Sequence, residues 1–436
     1  MLKKKTDVEL ADILAELVTE ISQKLDVDMN IKLWDGRILP LGPNVTSDLT
    51  LVIAHPGVIA SLLKGPSLDK IIRHYIHKNL DFEGGTLFDI GEQIVFNKSR
   101  KRIKEISKST FLKKLAPFLL VPSLKPEDSR AYEGDEAGST AAKKDAKKFI
   151  EFHYDVSNDF YKLFLDERMT YTCAYFTDWD NSLDQAQFDK LDMICKKLRL
   201  KEGETMLDIG CGWGGLLIHA AENYGVQAHG VTLATEQYEY AMKRIKEKGL
   251  EGKVKIELKD YRDLDEQFDK ISSIGMYEHV GIDQVENYLS KVRSMLKPDG
   301  LFLNHGITRR GKKTKKRLFD RPEKRAIQKY IFPGGDLDSL GNTIANMEKC
   351  GFEVQDVEGW RMHYQKTTQE WCDRLTEHQD EAIALVGEET YRIWVVYLAG
   401  VSLTFLKGSM RLYQTLATQN PKGMPATPQT REDLYQ

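Results

Sequence analysis

The sequence predicts an α/β protein of two parts: a mostly parallel sheet with helices on both faces, preceded by a smaller α+β domain. Three observations predict it. From about Ala141, short apolar segments with strand character alternate with helical ones, the order that builds a parallel sheet. A glycine-dense run directly follows the first of those strands. Before about Phe96 the elements are short and mixed, and a stretch rich in Pro, Gly, Ser and charge divides the two patterns.

The length of 436 residues is enough for two or three domains at roughly 100–200 residues each. Apolar residues make up 41% and charged residues 30%, a globular balance. The formal net charge of −3 gives no global field that would gather nucleic acid, so an electrostatic partner must be met by local patches. The five cysteines are odd in number and lack framework spacing, which points to a reducing compartment. Met1-Leu2-Lys3-Lys4-Lys5 is followed by Asp7, Glu9, Asp12 and Glu16, which leaves no apolar core for a secretory signal. The longest apolar run, Trp394 to Leu406, falls short of the ~20 residues a bilayer crossing needs and reads as a buried helix. A cytoplasmic location is expected.

Taken in order, Val8, Ile13, Leu14, Leu17, Val18, Ile21 and Leu25 recur at helical spacing. Ile31 and Leu33 alternate with polar residues, Asp35-Gly36 turns, and Ile38 to Leu41 follows, a hairpin pattern. Basic residues crowd Lys98 to Lys114, and Pro122 to Thr140 reads as a linker. The expected division is an N-terminal domain at 1–121, a linker at 122–140 and the main domain at 141–436. In the main domain, strands are expected at Thr205–Ile209, Gln227–Val231, Lys253–Leu258, Asp269–Ile274 and Gly300–Asn304, with a helix at Thr235–Lys248. The segment from Thr367 to Leu416 is expected to be helical.

The strongest local motif is Asp208-Ile209-Gly210-Cys211-Gly212-Trp213-Gly214-Gly215. Glycines there let the backbone turn sharply and approach a ligand, at the carboxyl edge where such sheets bind nucleotides. A dinucleotide would set its pyrophosphate on the helix N-terminus. S-adenosylmethionine has no phosphate, and an acidic residue at the strand end suits its cationic amino group better. Here Asp208 stands ahead of Gly-x-Gly-x-Gly, which favours the second ligand; a tight turn without any ligand stays open at this point.

The loop does not stand alone. His153-Tyr154-Asp155-Val156-Ser157-Asn158-Asp159-Phe160-Tyr161 precedes Thr170-Tyr171-Thr172-Cys173-Ala174-Tyr175-Phe176. Gly275-Met276-Tyr277-Glu278-His279-Val280-Gly281 and Lys329-Tyr330-Ile331-Phe332-Pro333-Gly334-Gly335 follow. In this order the motifs closely resemble the cyclopropane-fatty-acyl-phospholipid synthase family and its mycolic-acid relatives, from about Phe152 to the C-terminal helices. The resemblance implies a Rossmann-like class I methyltransferase fold with a mostly parallel seven-stranded sheet, and a lipid-binding or accessory N-terminal domain. It implies a methylene transfer from S-adenosylmethionine to the cis double bond of unsaturated phospholipid acyl chains. The implied cofactor contacts are Tyr171 and Thr172; Met206, Leu207, Asp208, Ile209, Gly210, Cys211, Gly212, Trp213 and Gly214; Thr232, Leu233 and Gln237; and Asp260 and Tyr261. A bound bicarbonate is the implied base, with Cys173, Glu278, His305, the Ile307 backbone and Tyr364 as its ligands.

The chemistry is coherent with those residues. An isolated alkene is a weak nucleophile, so the methyl donor must be a strong electrophile held in line. The positive charge left on the chain suits aromatic faces, at roughly 0.5–2 kcal/mol each; Tyr175, Phe176, Tyr277 and Tyr330 are the candidates. Ring closure needs a base for the departing proton. Taken singly, Glu278 reads as an exposed residue at a strand end, His305 as a core histidine, Cys173 as a small hydrophobe and Tyr364 as a strand cap. Many relatives carry a cysteine where Val401 stands here, so a nucleophilic cysteine at that position is not expected to be required. Cys350 and Cys372 offer no nucleophilic context, and no metal-site spacing is present. Arg309 to Arg317 is a second basic stretch. With Lys98–Lys114 it would meet anionic head groups at the inner face of the membrane, at about 1 kcal/mol per cation. A homodimer would dock at two points. The alternatives are a methyltransferase that adds a branch methyl without closing a ring, a non-catalytic lipid-binding protein with this fold, and a nucleic-acid methyltransferase, which lacks its usual Asn/Asp-Pro-Pro-aromatic signature here.

Overall fold

The computed structural model describes residues 5–25, 27–95, 113–124, 156–311, 337–419 and 427–434. They fall into two compact units. The first holds the described residues up to 124 together with Leu375–Leu403; the second holds those from 156 to 374 and from Thr404 onward. Residues 125–140 of the expected linker lie outside the described residues.

The first unit opens with the helix Asp7–Ser22, closed at its start by a reciprocal cap. Thr6 Oγ1 accepts from the Glu9 N–H at 3.3 Å, and the Glu9 carboxylate accepts from the Thr6 N–H at 2.9 Å. Two donors that helix geometry leaves open are thereby satisfied. Leu10, Leu14, Leu17 and Val18 are buried on one face and cluster with Ile31, Ile53 and Phe118. The expected hairpin is β1 (Asn30–Lys32) with β2 (Ile38–Pro40). β1 also runs parallel to β3 (Thr50–Ile53), which pairs antiparallel with β4 (Leu80–Glu83), giving the order β2-β1-β3-β4. Part of the apolar helix Glu388–Leu406 belongs to this unit. Its buried Arg392 lies 2.9 Å from the Asp81 carboxylate and 4.0 Å over the Tyr75 ring. No described helix is long and apolar enough to cross a membrane.

The second unit is a seven-stranded sheet: β5 (Thr205–Ile209), β6 (Gln227–Thr232), β7 (Val254–Leu258), β8 (Phe268–Ile274), β9 (Leu296–Arg309), β10 (Phe352–Gly359) and β11 (Met410–Gln419). The spatial order is β10-β11-β9-β8-β5-β6-β7. β5 to β9 run parallel; β11 is antiparallel to both of its neighbours. Side-chain alternation in β5 shows how the layers form. Met206 joins the core under the helices Leu183–Leu198 and Gly215–Tyr224, whereas Leu207 and Ile209 join the core under the helix Val285–Met295. Asp208 shares the face of Met206.

The expected strands of the parallel part are present, with β9 longer at both ends. The C-terminal expectation needs correction. The chain is helical over Arg361–Glu377, Gln379–Val386 and Glu388–Leu406, but Met410–Gln419 is a strand. β11 is inserted between two others and is buried along most of its length. Its sequence from Met410 to Gln419 mixes polar and apolar residues without strict alternation, so it carries no clear strand period and reads as a continuation of the helical segment before it. β10 has no counterpart in the sequence-based reading.

Candidate functional site

The parallel connections leave β5 in one direction and β8 in the other, so the crevice at a topological switch point opens above their carboxyl ends. The glycine run sits there. Gly210, Gly212 and Gly214 have φ of +77°, +54° and +79°, a region costly for other residues. A side chain on Gly210 would meet Met276 Sδ at 3.3 Å, and one on Gly214 would meet Ile256 Cδ1 at 3.1 Å; one on Gly212 would meet nothing within 4 Å. The first and third glycines therefore serve packing, and the second faces open space. Gly275, at the end of β8, lies against Thr172: an added Cβ would be 3.3 Å from its methyl.

The other expected cofactor residues sit around this loop. Trp213 Nε1 donates to Asn158 at 2.7 Å, and its ring lies 5.0 Å from that of Tyr161, which in turn is 5.5 Å from that of Tyr171. Past β6, Thr232 Oγ1 and the Gln237 amide oxygen are 3.1 Å apart. Past β7, the Asp260 carboxylate takes two bonds from the Arg262 side chain, at 2.9 and 2.7 Å, and burial pushes the Tyr261 hydroxyl up to about 12. Asp208 is buried, and its carboxylate accepts from Ser272 Oγ at 2.6 Å. Burial raises it to about 6, against the opposing pull of that bond and of Lys190.

The second group gathers around β9. Its carboxyl half pairs Ile274 with His305 across the sheet, and Gly275 N–H donates to the His305 carbonyl at 2.9 Å. Glu278 stands on the short helix Tyr277–Val280 and is buried, contrary to an exposed pair at a strand end. One of its oxygens accepts the Ile307 N–H at 2.5 Å. The other, Oε2, is buried with no hydrogen-bond partner among the described residues. Burial raises Glu278 to about 7, with the Ile307 bond opposing. His305 is also buried; Nδ1 is 3.1 Å from Gln414 Nε2, and Nε2 has no partner among the described residues. Burial, then Lys190 and Lys197, holds the imidazole well below its ordinary range, so it is neutral. Cys173 is fully buried, 3.2 Å from the Ala174 carbonyl and 4.0 Å from that of Trp360, and burial pushes its thiol up. Tyr364 lies on the helix Arg361–Glu377, one turn past Trp360, not at a strand end; its ring packs 4.8 Å from Phe405. Trp360 links the group: its ring meets His305 edge-on at 5.5 Å.

The aromatic candidates divide. Tyr175 stacks 4.7 Å from Trp360, and Phe176 lies near His363 with Lys366 4.8 Å over its ring. Tyr277 is buried 6.2 Å from Tyr288, and Tyr330 lies outside the described residues. Sequence reasoning missed Trp360, Gln414 and two buried lysines. Lys190 and Lys197 occupy the apolar face of Leu183–Leu198, in step with Leu183, Ala186, Leu191, Ile194 and Leu198. That spacing was a visible signal, because lysine is rarely buried without a task. Lys190 Nζ donates to Thr172 Oγ1 at 2.9 Å, and burial lowers it to about 8.

Val401 is buried in its helix; Cys350 is half-buried beside Ser290, and Cys372 is buried. His229, Glu257 and Glu266 are the one His/carboxylate cluster of three among the described residues, and His229 and Glu257 already pair at 2.7 Å. Of the first basic stretch only Lys113 and Lys114 are described, and Lys114 pairs with Glu20. Of the second, Arg310 joins Arg361, Lys407 and Arg411 around a cavity of about 480 Å³. Leu412, which also lines it, is the β11 residue paired with Ile307.

Residues 141–415 match the family described as mycolic acid cyclopropane synthetase. A probable fatty acid methyltransferase of Pseudomonas putida is 39% identical over 416 residues, 95% of this chain and 98% of the relative. A cyclopropane-fatty-acyl-phospholipid synthase of Escherichia coli is 39% identical over 290 residues, 66% of this chain and 72% of the relative. The crystal structure of mycolic acid cyclopropane synthase CmaA1 complexed with SAH and CTAB is similar with a TM-score of 0.59 and 34% identity, covering 62% of this chain and 97% of that one.

Proposed function

Because the chain belongs to the mycolic acid cyclopropane synthetase family and is an S-adenosylmethionine-dependent methyltransferase, we propose that it converts cis double bonds of phospholipid acyl chains into cyclopropanes. The observation that carries this reading is that Glu278 Oε2 and His305 Nε2 are both buried with no partner among the described residues, on residues tied to one stretch of β9, since Glu278 accepts the Ile307 N–H. Buried polar groups are almost always paired, so two left open together point to a ligand or a reacting group.

The loop from Asp208 to Gly214, with Tyr171, Thr172, Thr232, Leu233, Gln237, Asp260 and Tyr261, would hold S-adenosylmethionine. When bound, it supplies a methyl group on a sulfonium, the electrophile an isolated alkene requires. The open face of Gly212 and the packing roles of Gly210 and Gly214 fit a ligand lying on this loop. Tyr175, packed against Trp360, would offer a π face to the positive charge left on the acyl chain, whereas the Phe176 ring already carries Lys366 over it. Glu278, His305, Cys173, Ile307 and Tyr364 would hold bicarbonate, which, when bound, supplies an acceptor for the proton lost on ring closure. The fit is uneven. Glu278, half protonated near pH 7, and His305 present open polar atoms, whereas the Ile307 N–H is already given to Glu278. Glu278 and the anion would therefore share that donor. The burial of the group excludes the water that would otherwise quench a cation.

For docking, Arg310, Arg361, Lys407 and Arg411 around one cavity support contact with anionic head groups at the membrane face. Residues 1–121 are read as an accessory lipid-binding domain. A second reading, branch methylation without ring closure, draws on the Pseudomonas putida relative, whose match spans nearly the whole chain. One experiment separates the two. Purified protein is given S-adenosylmethionine and vesicles of cis-monounsaturated phosphatidylglycerol, and the recovered acyl chains are read by proton NMR. High-field ring protons are expected. A new branch methyl on a retained alkene supports the second reading, and no transfer at all defeats both.

A further inference from the structure

We infer that Lys197 and Gln414 are positioning residues that hold His305 as its Nε2–H tautomer, so that it offers the site a proton donor and not a base. The inference rests on the proposed reaction only in giving His305 a part in it.

Strand register brings the residues into line. Glu358 on β10 pairs with Gln414 on β11, which pairs with His305 on β9. Residues directly opposite in adjacent strands share a face of the sheet, so the three form one row across it. Lys197, from the helix Leu183–Leu198, lies over this row with its side chain only 2% exposed. It forms an ion pair with Glu358, sits 5.2 Å over the Trp360 ring and donates to Gln414 Oε1 at 2.7 Å.

Donor and acceptor logic does the rest. An ammonium has three donors and no acceptor. Burial lowers Lys197, while the partly exposed Glu358 beside it works to keep it charged. The Gln414 atom facing Lys197 must therefore be the carbonyl oxygen. Its NH₂ then faces His305, with Nε2 at 3.1 Å from Nδ1. That donor requires a lone pair on Nδ1. In a neutral imidazole one nitrogen accepts and the other carries the proton, so the proton is on Nε2. This nitrogen is the one with no partner among the described residues. A neutral His305 held this way cannot take a proton at Nε2. It can steady an acceptor there, a bound anion or the Glu278 carboxylate.

The test reads the tautomer and the reaction separately. Long-range proton–nitrogen correlation NMR on histidine-labelled protein, assigned with a His305→Gln sample, gives the protonated nitrogen directly. The wild type is expected as Nε2–H. Gln414→Glu places an acceptor on both sides, so His305 is expected to move its proton to Nδ1. With vesicles of cis-monounsaturated phosphatidylglycerol, kcat should then fall on the order of 10²-fold, the low end of what a placed acid or base contributes, with KM little moved. Lys197→Met frees the Gln414 amide to rotate and should give mixed tautomers; Lys197→Arg, again donor-only, should restore Nε2–H. S-adenosylhomocysteine affinity by calorimetry reports whether each variant is folded, and a variant that fails it is replaced by Gln414→Leu, which should also give mixed tautomers. Nδ1–H in the wild type, or Nε2–H retained in Gln414→Glu, overturns the inference. A tautomer that shifts while kcat does not overturns the part given to His305 in the proposed reaction, so the two failures are distinguishable.

Discussion

Two carboxylates stand in the same sheet, at or just beyond the ends of strands β5 and β8, and they are treated differently. Asp208, below the glycine loop, is buried but answered: Ser272 donates to it at 2.6 Å, and the Lys190 charge opposes its desolvation. Among the described residues, Glu278, beside β9, is answered on one oxygen only, by the Ile307 N–H, and its other oxygen has no partner. The difference teaches which carboxylate the fold itself already satisfies. A paired buried carboxylate holds a loop in place, whereas a buried carboxylate with an open oxygen raises the energy of the protein itself and persists where a reaction repays it.

The largest expected effect concerns Glu278. Glu278→Gln keeps the shape and removes the ionisable group, and the rate of methyl transfer should fall by about 10²–10⁴-fold. Binding of S-adenosylhomocysteine, measured by calorimetry, should scarcely change. A matching loss of that binding would erase the contrast between the two regions.

Next comes stability. Glu278 has a folded value of about 7, raised above the ordinary 4.5. The folded form therefore keeps a proton that the unfolded chain releases. Its contribution is fully present below pH 4.5 and is lost as pH rises toward 7. Relative to wild type, Glu278→Gln should gain of the order of 2–3 kcal/mol at pH 8 and little at pH 4.5. Urea unfolding at the two pH values checks it, and a gain independent of pH would contradict the burial account.

On the other side of the comparison, Ser272→Ala strips Asp208 of its hydroxyl donor. A cost of about 1–3 kcal/mol in stability is expected, seen as a lower urea midpoint, with the chemical step, read in single turnover, close to wild type. The smallest difference lies within the loop. Gly212→Ala and Gly214→Ala both force a side chain into positive φ, at roughly 1–2 kcal/mol. Gly214→Ala adds contacts at 3.1 and 3.3 Å with Ile256 and Ala241 and should lose more stability. Gly212→Ala should instead lose more affinity for S-adenosylhomocysteine. Equal losses in both measurements would remove the distinction between packing glycines and a ligand-facing one.

Much of the first region was legible because it is contiguous. Strand, glycine turn and helix follow one another from Thr205 to Tyr224, and each carries its own local pattern. The second region is built from Cys173, Glu278, His305, Trp360, Tyr364 and Gln414, which lie on five separate stretches of chain. His305 alone looks like any core histidine in an apolar strand. Family likeness pointed to several of these residues, but Gln414 lies in a segment with no clear strand period, directly after a long helix.

From the amino-acid sequence alone came the parallel sheet and the turn of Gly210, Gly212 and Gly214, because periodicity and steric freedom are properties of neighbouring residues; the family came from the resemblance of several motifs in one order. Only the tertiary structure decided that β11 slides between β9 and β10 and sets Glu358, Gln414 and His305 in one row under Lys197. Strand register and burial arise between distant segments, and they alone determine which nitrogen of His305 and which oxygen of Glu278 is left facing the site.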